Sequence, residues 1–77
     1  MTPEAIQALI SEKMTDADIS VTGSEGKFEA TIISDEFDGL MTIKRHKLVY
    51  ACVNDQITSG ELHALTIHAK TKAEASA

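Results

Sequence analysis

Two histidines lie close together near the C-terminus, in the segment ELHALTIHAKT, residues 61–71. Apolar and polar residues alternate there as in a β-strand with one covered face, and successive side chains of a strand point to opposite faces. His63 therefore shares a face with Leu65 and Ile67, whereas His68 lies on the other face with Thr66. Because the two imidazoles face apart, this strand does not predict a two-histidine metal site.

Because the two histidines lie on different faces, we predict a different environment for each. For His68 we predict a solvated polar residue on an uncovered sheet face. His63 lies at the start of the strand on its covered side, where we expect a half-buried imidazole. That imidazole is either satisfied by a nearby carbonyl or available to accept a proton, a hydrogen bond or a metal ion. The residues alone leave these alternatives open.

The sequence offers little support for cysteine or hydrolase chemistry. A single cysteine, Cys52, excludes an internal disulfide and a Cys-rich zinc site. Its place on an apolar helical stripe with Leu48 and Val49 predicts a buried packing role. Ser59 lies close to His63 in sequence, but no third group orients the histidine and no oxyanion site is evident. We therefore expect no enzymatic activity.

A basic segment, KRHK, places Lys44, Arg45 and Lys47 around His46, and it holds three of the seven Lys and Arg residues. Such a cluster can contact phosphates. It can equally be a solvated helix entry that balances the acidic residues at 35–38. The net charge of −5 weighs against broad nucleic-acid binding. DNA binding through this segment is therefore the alternative function.

The elements that position these groups follow from sequence periodicity. Residues 2–14 predict a helix with Thr2 as its cap, Pro3 at its first position and an apolar face that includes Ile6 and Ile10. Residues 16–39 predict a hairpin around GSEG, with a loop longer than the tightest turns. A second helix is predicted over about 41–56 and a strand over about 61–70. The tail, 71–77, is predicted to form a short helical turn with capping-box spacing and to fray.

This order, α-β-β-α-β, predicts an α+β domain. A strand that is followed by a crossover helix usually returns parallel and right-handed. We therefore expect a three-stranded mixed sheet with both helices on one face. The 77 residues are enough for one domain, 1–77, and the 43% hydrophobic content is typical of a compact globule. Apolar runs are too short for a membrane span or a signal peptide, so we expect a cytoplasmic monomer.

Three short motifs in the sequence together resemble those of a known protein family. The sequences FDG, RHKLVY and LHALTIHA, within GKFEATIISDEFDG and RHKLVYACVNDQITSGELHALTIHAKT, resemble the BolA family, nearer its short IbaG-like branch. The resemblance implies an α/β sandwich similar to the type II KH topology, in agreement with the element order above.

The resemblance also implies a function. BolA-family members are non-enzymatic adaptors that pair with monothiol glutaredoxins, and the pair can hold a bridging two-iron, two-sulfur cluster with glutathione. The resemblance implies no cluster on the chain alone. The family's histidine, at the start of the last strand, corresponds to His63. A neutral imidazole is a good iron ligand and makes a cluster pH-sensitive. The family is also linked to transcriptional control, which corresponds here to the alternative at Lys44, Arg45 and Lys47.

The second family ligand, a His or Cys in the hairpin loop, corresponds to Lys27. A protonated ammonium cannot ligate iron, and an exposed loop gives little desolvation to lower its pKa. The presence of Lys27 at this position therefore has one of three meanings. The cluster is labile or held by one histidine, another residue such as His46 replaces the ligand, or the partners interact without a cluster.

Overall fold

Helices and strands follow one another in nearly the predicted order in the computed structural model, which describes residues 1–77. The elements are α1 (Pro3–Lys13), β1 (Asp18–Ser24), β2 (Lys27–Ile33), a 3-10 turn (Asp35–Phe37), α2 (Thr42–Cys52), α3 (Asn54–Ser59), β3 (Ala64–Lys70) and α4 (Lys72–Ser76). None of the helices is long and apolar enough to cross a membrane.

The first helix begins where its cap was predicted. The Thr2 hydroxyl accepts a hydrogen bond from the Ala5 N–H at 3.1 Å, and Pro3 occupies the first helical position. The hydroxyl satisfies one of the N–H groups that a helix start leaves without a partner. Ile6 and Ile10 are fully buried one turn apart, so α1 covers the sheet with its apolar stripe.

The sheet confirms the predicted α+β fold class. Its strand order is β1-β2-β3, with β1 antiparallel and β3 parallel to β2. Alternate residues of each strand face the helices, and fully burying one such aliphatic side chain contributes about 1.5–3 kcal/mol. The core consists of Ile6, Ile10, Met14, Phe28, Ala30, Ile32, Phe37, Val49, Val53, Leu62, Leu65 and Ile67.

Two local predictions were wrong. The helix predicted over 41–56 is broken at Val53, which leaves helical geometry (φ −123°, ψ 17°) while its side chain is fully buried. The hairpin loop is shorter than predicted, because only Glu25 and Gly26 separate the strands. Both have positive φ, 55° and 78°, as the tight type I′ turn requires.

Arg45 holds the C-terminal end of β3 against the start of α2. Its guanidinium donates to the carbonyls of Leu40 and Ala69, at 2.8 and 3.1 Å, and to both carboxylate oxygens of Glu74, at 2.6 and 3.1 Å. It also lies 5.9 Å from the centre of the Phe37 ring. The side chain is only 13% exposed. The assignment of Arg45 to a nucleic-acid patch stays a prediction, and these bonds, which use four of its five N–H donors, weigh against it.

The tail carries the predicted capping box. The Thr71 hydroxyl accepts from the Glu74 N–H at 3.2 Å, and the Glu74 carboxylate accepts from the Thr71 N–H at 2.8 Å. The same carboxylate binds Arg45, and these bonds, with that from Arg45 first, lower the pKa of Glu74 to about 2. Fraying of residues 71–77 stays a prediction, and these contacts oppose it.

Glu74 gives the fold a defined acid sensitivity. Since its pKa is lower in the folded than in the unfolded chain, the ionised carboxylate stabilises the fold above pH about 4.3. This stabilisation is lost as pH falls toward 2. We expect wild type to melt at a higher temperature than Glu74→Gln at pH 7, and the difference to vanish near pH 2. Thermal unfolding of both proteins across this range checks it; a constant difference would contradict the assignment.

Candidate functional site

His63 lies directly before β3 and against the hairpin turn. The backbone N–H groups of His63 and Ala64 both donate to the carbonyl of Gly26, at 2.8 and 3.0 Å. The His63 ring lies on Gly26, since a Cβ added to this glycine would fall 2.3 Å from His63 Cδ2. The hairpin turn and the histidine therefore form one unit, which requires glycine at position 26.

The His63 side chain is exposed rather than half-buried as predicted. Strand β3 begins at Ala64, so His63 precedes the part of the strand that the helices cover. The nearby carbonyl is that of Gly26, and it is bonded to the backbone N–H of His63. No hydrogen bond within the chain occupies the ring nitrogens. A neutral imidazole in this position can present a lone pair to a metal centre on a partner.

Lys27 lies next to His63 across the strand pair. It begins β2 and is paired with Ala64 in the parallel register. Its side chain is exposed. The register thus places Lys27 one position from His63 along the strand pair, and these are the two positions that the resemblance aligned with cluster ligands. Only the histidine has a suitable donor atom at neutral pH.

His46 and Cys52 do not join this site. Arg45, next to His46, bonds the carbonyl of Ala69, six residues along β3 from His63 and thus about 20 Å away. Cys52 is partly buried, which raises the pKa of its thiol, and its Sγ donates to the carbonyl of Leu48 at 3.4 Å. This contact agrees with the packing role predicted for Cys52. No group of three or more His, Cys, Asp or Glu side chains is arranged to hold a metal ion.

His68 lies exposed on the uncovered sheet face, as predicted. Its partner was not predicted: His68 Nε2 lies 2.8 Å from a carboxylate oxygen of Glu29. The two residues are diagonal neighbours, because His68 pairs with Thr31 and Glu29 pairs with Thr66. Strand alternation would place Leu62, six residues before His68, on this same face, but Leu62 is buried instead. It precedes β3, and its N–H donates to the carbonyl of Gln56.

The basic segment is divided by the fold. Arg45 bonds β3 and α4, whereas Lys44 and Lys47 are exposed and border a groove that Arg45 does not line. The floor of this groove is apolar, formed by Leu40, Leu48 and Ala51. The structure therefore leaves two lysines beside an apolar surface in place of the predicted three-residue basic patch.

The contact between Gly26 and His63 predicts a position-specific effect of substitution. Gly26→Asn should displace the imidazole but exceed the cost of Gly39→Asn by less than about 1 kcal/mol, because the exposed ring that a Cβ at position 26 overlaps can rotate away. Gly39 is a matched control: its φ of 77° is close to the 78° of Gly26, and a Cβ there meets nothing within 4 Å. Asparagine tolerates this backbone region in both places.

Two measurements check this effect. Urea unfolding compares the stabilities of the two variants, and the imidazole resonances of His63 report its environment. We expect those resonances to shift in Gly26→Asn and to stay unchanged in Gly39→Asn. Equal stabilities together with an unmoved His63 spectrum would show that the ring does not rest on Gly26.

Comparison with known proteins places this geometry in a family. The BolA-like protein family profile matches residues 5–74. A protein from the rpoN–murA intergenic region of Acinetobacter guillouiae is 39% identical over 74 residues, which cover 96% of this chain and 89% of the relative. The human BolA-like protein 1 is 40% identical over 52 residues, 68% of this chain and 37% of the relative.

Solved structures agree. A BolA homologue from Coxiella burnetii superposes with a TM-score of 0.89 at 27% identity, over 100% of this chain and 99% of that one. The BolA domain of SufE1 from Arabidopsis thaliana gives a TM-score of 0.82 at 33% identity, over 94% of this chain and 93% of that one. The chain belongs to the BolA-like protein family. It spans well under half of the human relative, so the activities of such longer proteins are not transferred to it directly.

Proposed function

We propose that this protein is a non-enzymatic adaptor that pairs with a monothiol glutaredoxin in the cytoplasm and takes part in iron–sulfur cluster trafficking or iron sensing. The cluster is its cargo, shared with the glutaredoxin and glutathione. His63 supplies the nitrogen ligand from this chain. The observation that carries the proposal is an exposed imidazole whose ring nitrogens have no partner in the chain and whose position the Gly26 turn fixes.

The geometry supports a shared site better than a self-contained one. One imidazole cannot complete the coordination of an iron ion, and the adjacent Lys27 does not ligate while it is protonated. The remaining ligands must therefore come from the partner and from glutathione. A site that depends on two proteins assembles and separates with them, as an adaptor requires.

The relatives include a protein in which a BolA domain is joined to a second, SufE-like unit. The BolA domain that this chain resembles belongs to a SufE-like protein of Arabidopsis, whose sequence is 48% identical over 54 residues, although these are only 14% of that relative. The shared domain supports placing this chain in the same area of chemistry. It does not identify a client protein.

A spectroscopic titration tests the proposal. A monothiol glutaredoxin loaded with its cluster is titrated with this protein, and visible circular dichroism follows the cluster environment. We expect a saturable new spectrum with wild type that His63→Ala abolishes, because the imidazole ligand is lost. His68→Ala is the matched control, since His68 is exposed but paired with Glu29 on the open sheet face, and it should behave as wild type.

Calorimetry completes the test. If wild type produces no spectral change and no heat of binding with the glutaredoxin, the adaptor proposal fails. If binding occurs but His63→Ala gives the wild-type spectrum, the pairing stands and the role assigned to His63 is wrong.

A further inference from the structure

Three exposed large apolar residues, here called the α2 cluster, lie on α2 or directly before it. Met41, Ile43 and Leu48 are 76%, 66% and 39% exposed, and they account for half of the six large apolar side chains on the surface. Small soluble proteins rarely gather exposed apolar side chains in one place unless the surface binds something. This cluster lies at the end of α2 where Arg45 bonds Ala69, and thus far from His63.

Of these three residues, Leu48 also lines a shallow, open groove on α2, which Met41 and Ile43 do not line. Leu40, Leu48 and Ala51 form the floor of the groove, and Lys44 and Lys47 border it. Ala51 also lines the two neighbouring depressions toward α1, so the surface hollows of this protein adjoin one another at this small residue. The helical residues that line the groove run from Lys44 to Ala51, about 10 Å or two helical turns along α2. This length matches a short helical segment of a partner.

The charges at the groove select the partner. Lys44 and Lys47 are exposed and neither forms an ion pair within the chain, although acidic residues outnumber basic ones by 12 to 7. Arg45 does not line the groove, because its guanidinium is bound by Glu74 and by the carbonyls of Leu40 and Ala69. Two free cations beside an apolar floor complement a segment that presents both aliphatic and carboxylate side chains. Duplex DNA would use the lysines and leave the floor without a contact.

We propose that the groove formed by Leu40, Lys44, Lys47, Leu48 and Ala51 is a docking site for an acidic amphipathic helix of a partner protein. The aliphatic stripe of that helix packs over Leu48 and Ala51, and its flanking carboxylates pair with the two lysines. This mode resembles other helix-in-groove complexes in its physics. The site is separate from His63, so this inference does not rest on the glutaredoxin proposal.

The test uses a defined probe. A stapled, fluorescein-labelled peptide of about twelve residues carries one leucine stripe flanked by glutamates; the staple removes the cost of forming the helix. A second peptide has lysine in place of every glutamate. Anisotropy gives the affinities, and amide chemical shifts locate the contact. We expect micromolar binding of the acidic peptide on the groove residues and at least about ten-fold weaker binding of the basic peptide.

Ala51→Arg is the decisive variant. The long side chain fills the groove but adds positive charge, so it should weaken the acidic peptide about ten-fold by obstruction alone, and it should not weaken DNA. Ala8→Arg, at an exposed position of α1 outside the groove, is the matched control and should leave the affinity unchanged. Lys44→Glu with Lys47→Glu should abolish binding, whereas the corresponding change of both lysines to arginine should preserve it. Thermal melts establish that each variant folds.

Several outcomes would overturn the inference. They are the absence of acidic-peptide binding, equal affinity for both peptides, chemical shifts that map outside the groove, or binding that survives Ala51→Arg. Retardation of duplex DNA that needs Lys44 and Lys47 but tolerates Ala51→Arg would make the surface a nucleic-acid site instead. A dimer in sedimentation that Ala51→Arg dissociates would make a second copy of the chain the occupant.

Discussion

Arg45→Met should lower the melting temperature by on the order of 10 °C, the largest stability effect we expect from any single polar side chain of this protein. The guanidinium joins three segments that are distant in sequence: the loop before α2 at Leu40, the end of β3 at Ala69 and α4 at Glu74. Methionine retains most of the aliphatic volume but leaves both carbonyls and the carboxylate without this donor. Differential scanning calorimetry at pH 7 measures the change.

Two controls separate the contacts of Arg45 from its charge. Lys44→Met removes a neighbouring positive charge from an exposed, unpaired side chain and should shift the melting temperature little. Arg45→Lys retains the charge but cannot donate to Leu40, Ala69 and Glu74 at the same time, so it should be nearly as destabilising as methionine. A lysine variant as stable as wild type would mean that charge alone explains the role of Arg45.

Arg45 also shows why the sequence predicted the elements better than the contacts. Helix α1, the strand alternation and the capping box at Thr71 depend on residues close in sequence, and the structure contains all three. The partners of Arg45 lie 24 and 29 residues away at Ala69 and Glu74. No local pattern distinguishes Arg45 from Lys44 and Lys47, so the sequence grouped the three as one basic patch.

In the candidate site, too, the local pattern was predicted and the contacts between distant residues were not. The alternation of residues 61–71 and the family motif pointed to His63, and the register brings it beside Lys27. The exposure of His63 and the contact of its ring with Gly26 were not predicted, because both depend on where β3 begins and on how tightly the hairpin turns. The sequence held one signal for the tight turn, the Glu-Gly pair within GSEG. These two residues have positive φ and close a two-residue hairpin.

Lys27→His should strengthen cluster sharing with the glutaredoxin, the largest functional gain that one substitution can give under the proposed function. It places an imidazole on the residue that pairs with Ala64, next to His63 in the sequence, at the position that the resemblance aligns with a His or Cys ligand. We expect the cluster of the mixed complex to transfer to an external chelator about ten-fold more slowly than with wild type. Stopped-flow loss of the visible spectrum measures the rate.

The design of this experiment separates ligation from charge. Lys27→Gln removes the same positive charge without a ligand nitrogen, so it should transfer the cluster at nearly the wild-type rate. Because an imidazole ligates only when neutral, the gain of Lys27→His should also decline as pH falls below about 6.5. A glutamine variant that is equally slow would show that the lysine acts by repulsion. A histidine variant no slower than wild type would show that the site has no place for a second ligand at position 27, and that His63 serves as the single ligand from this chain.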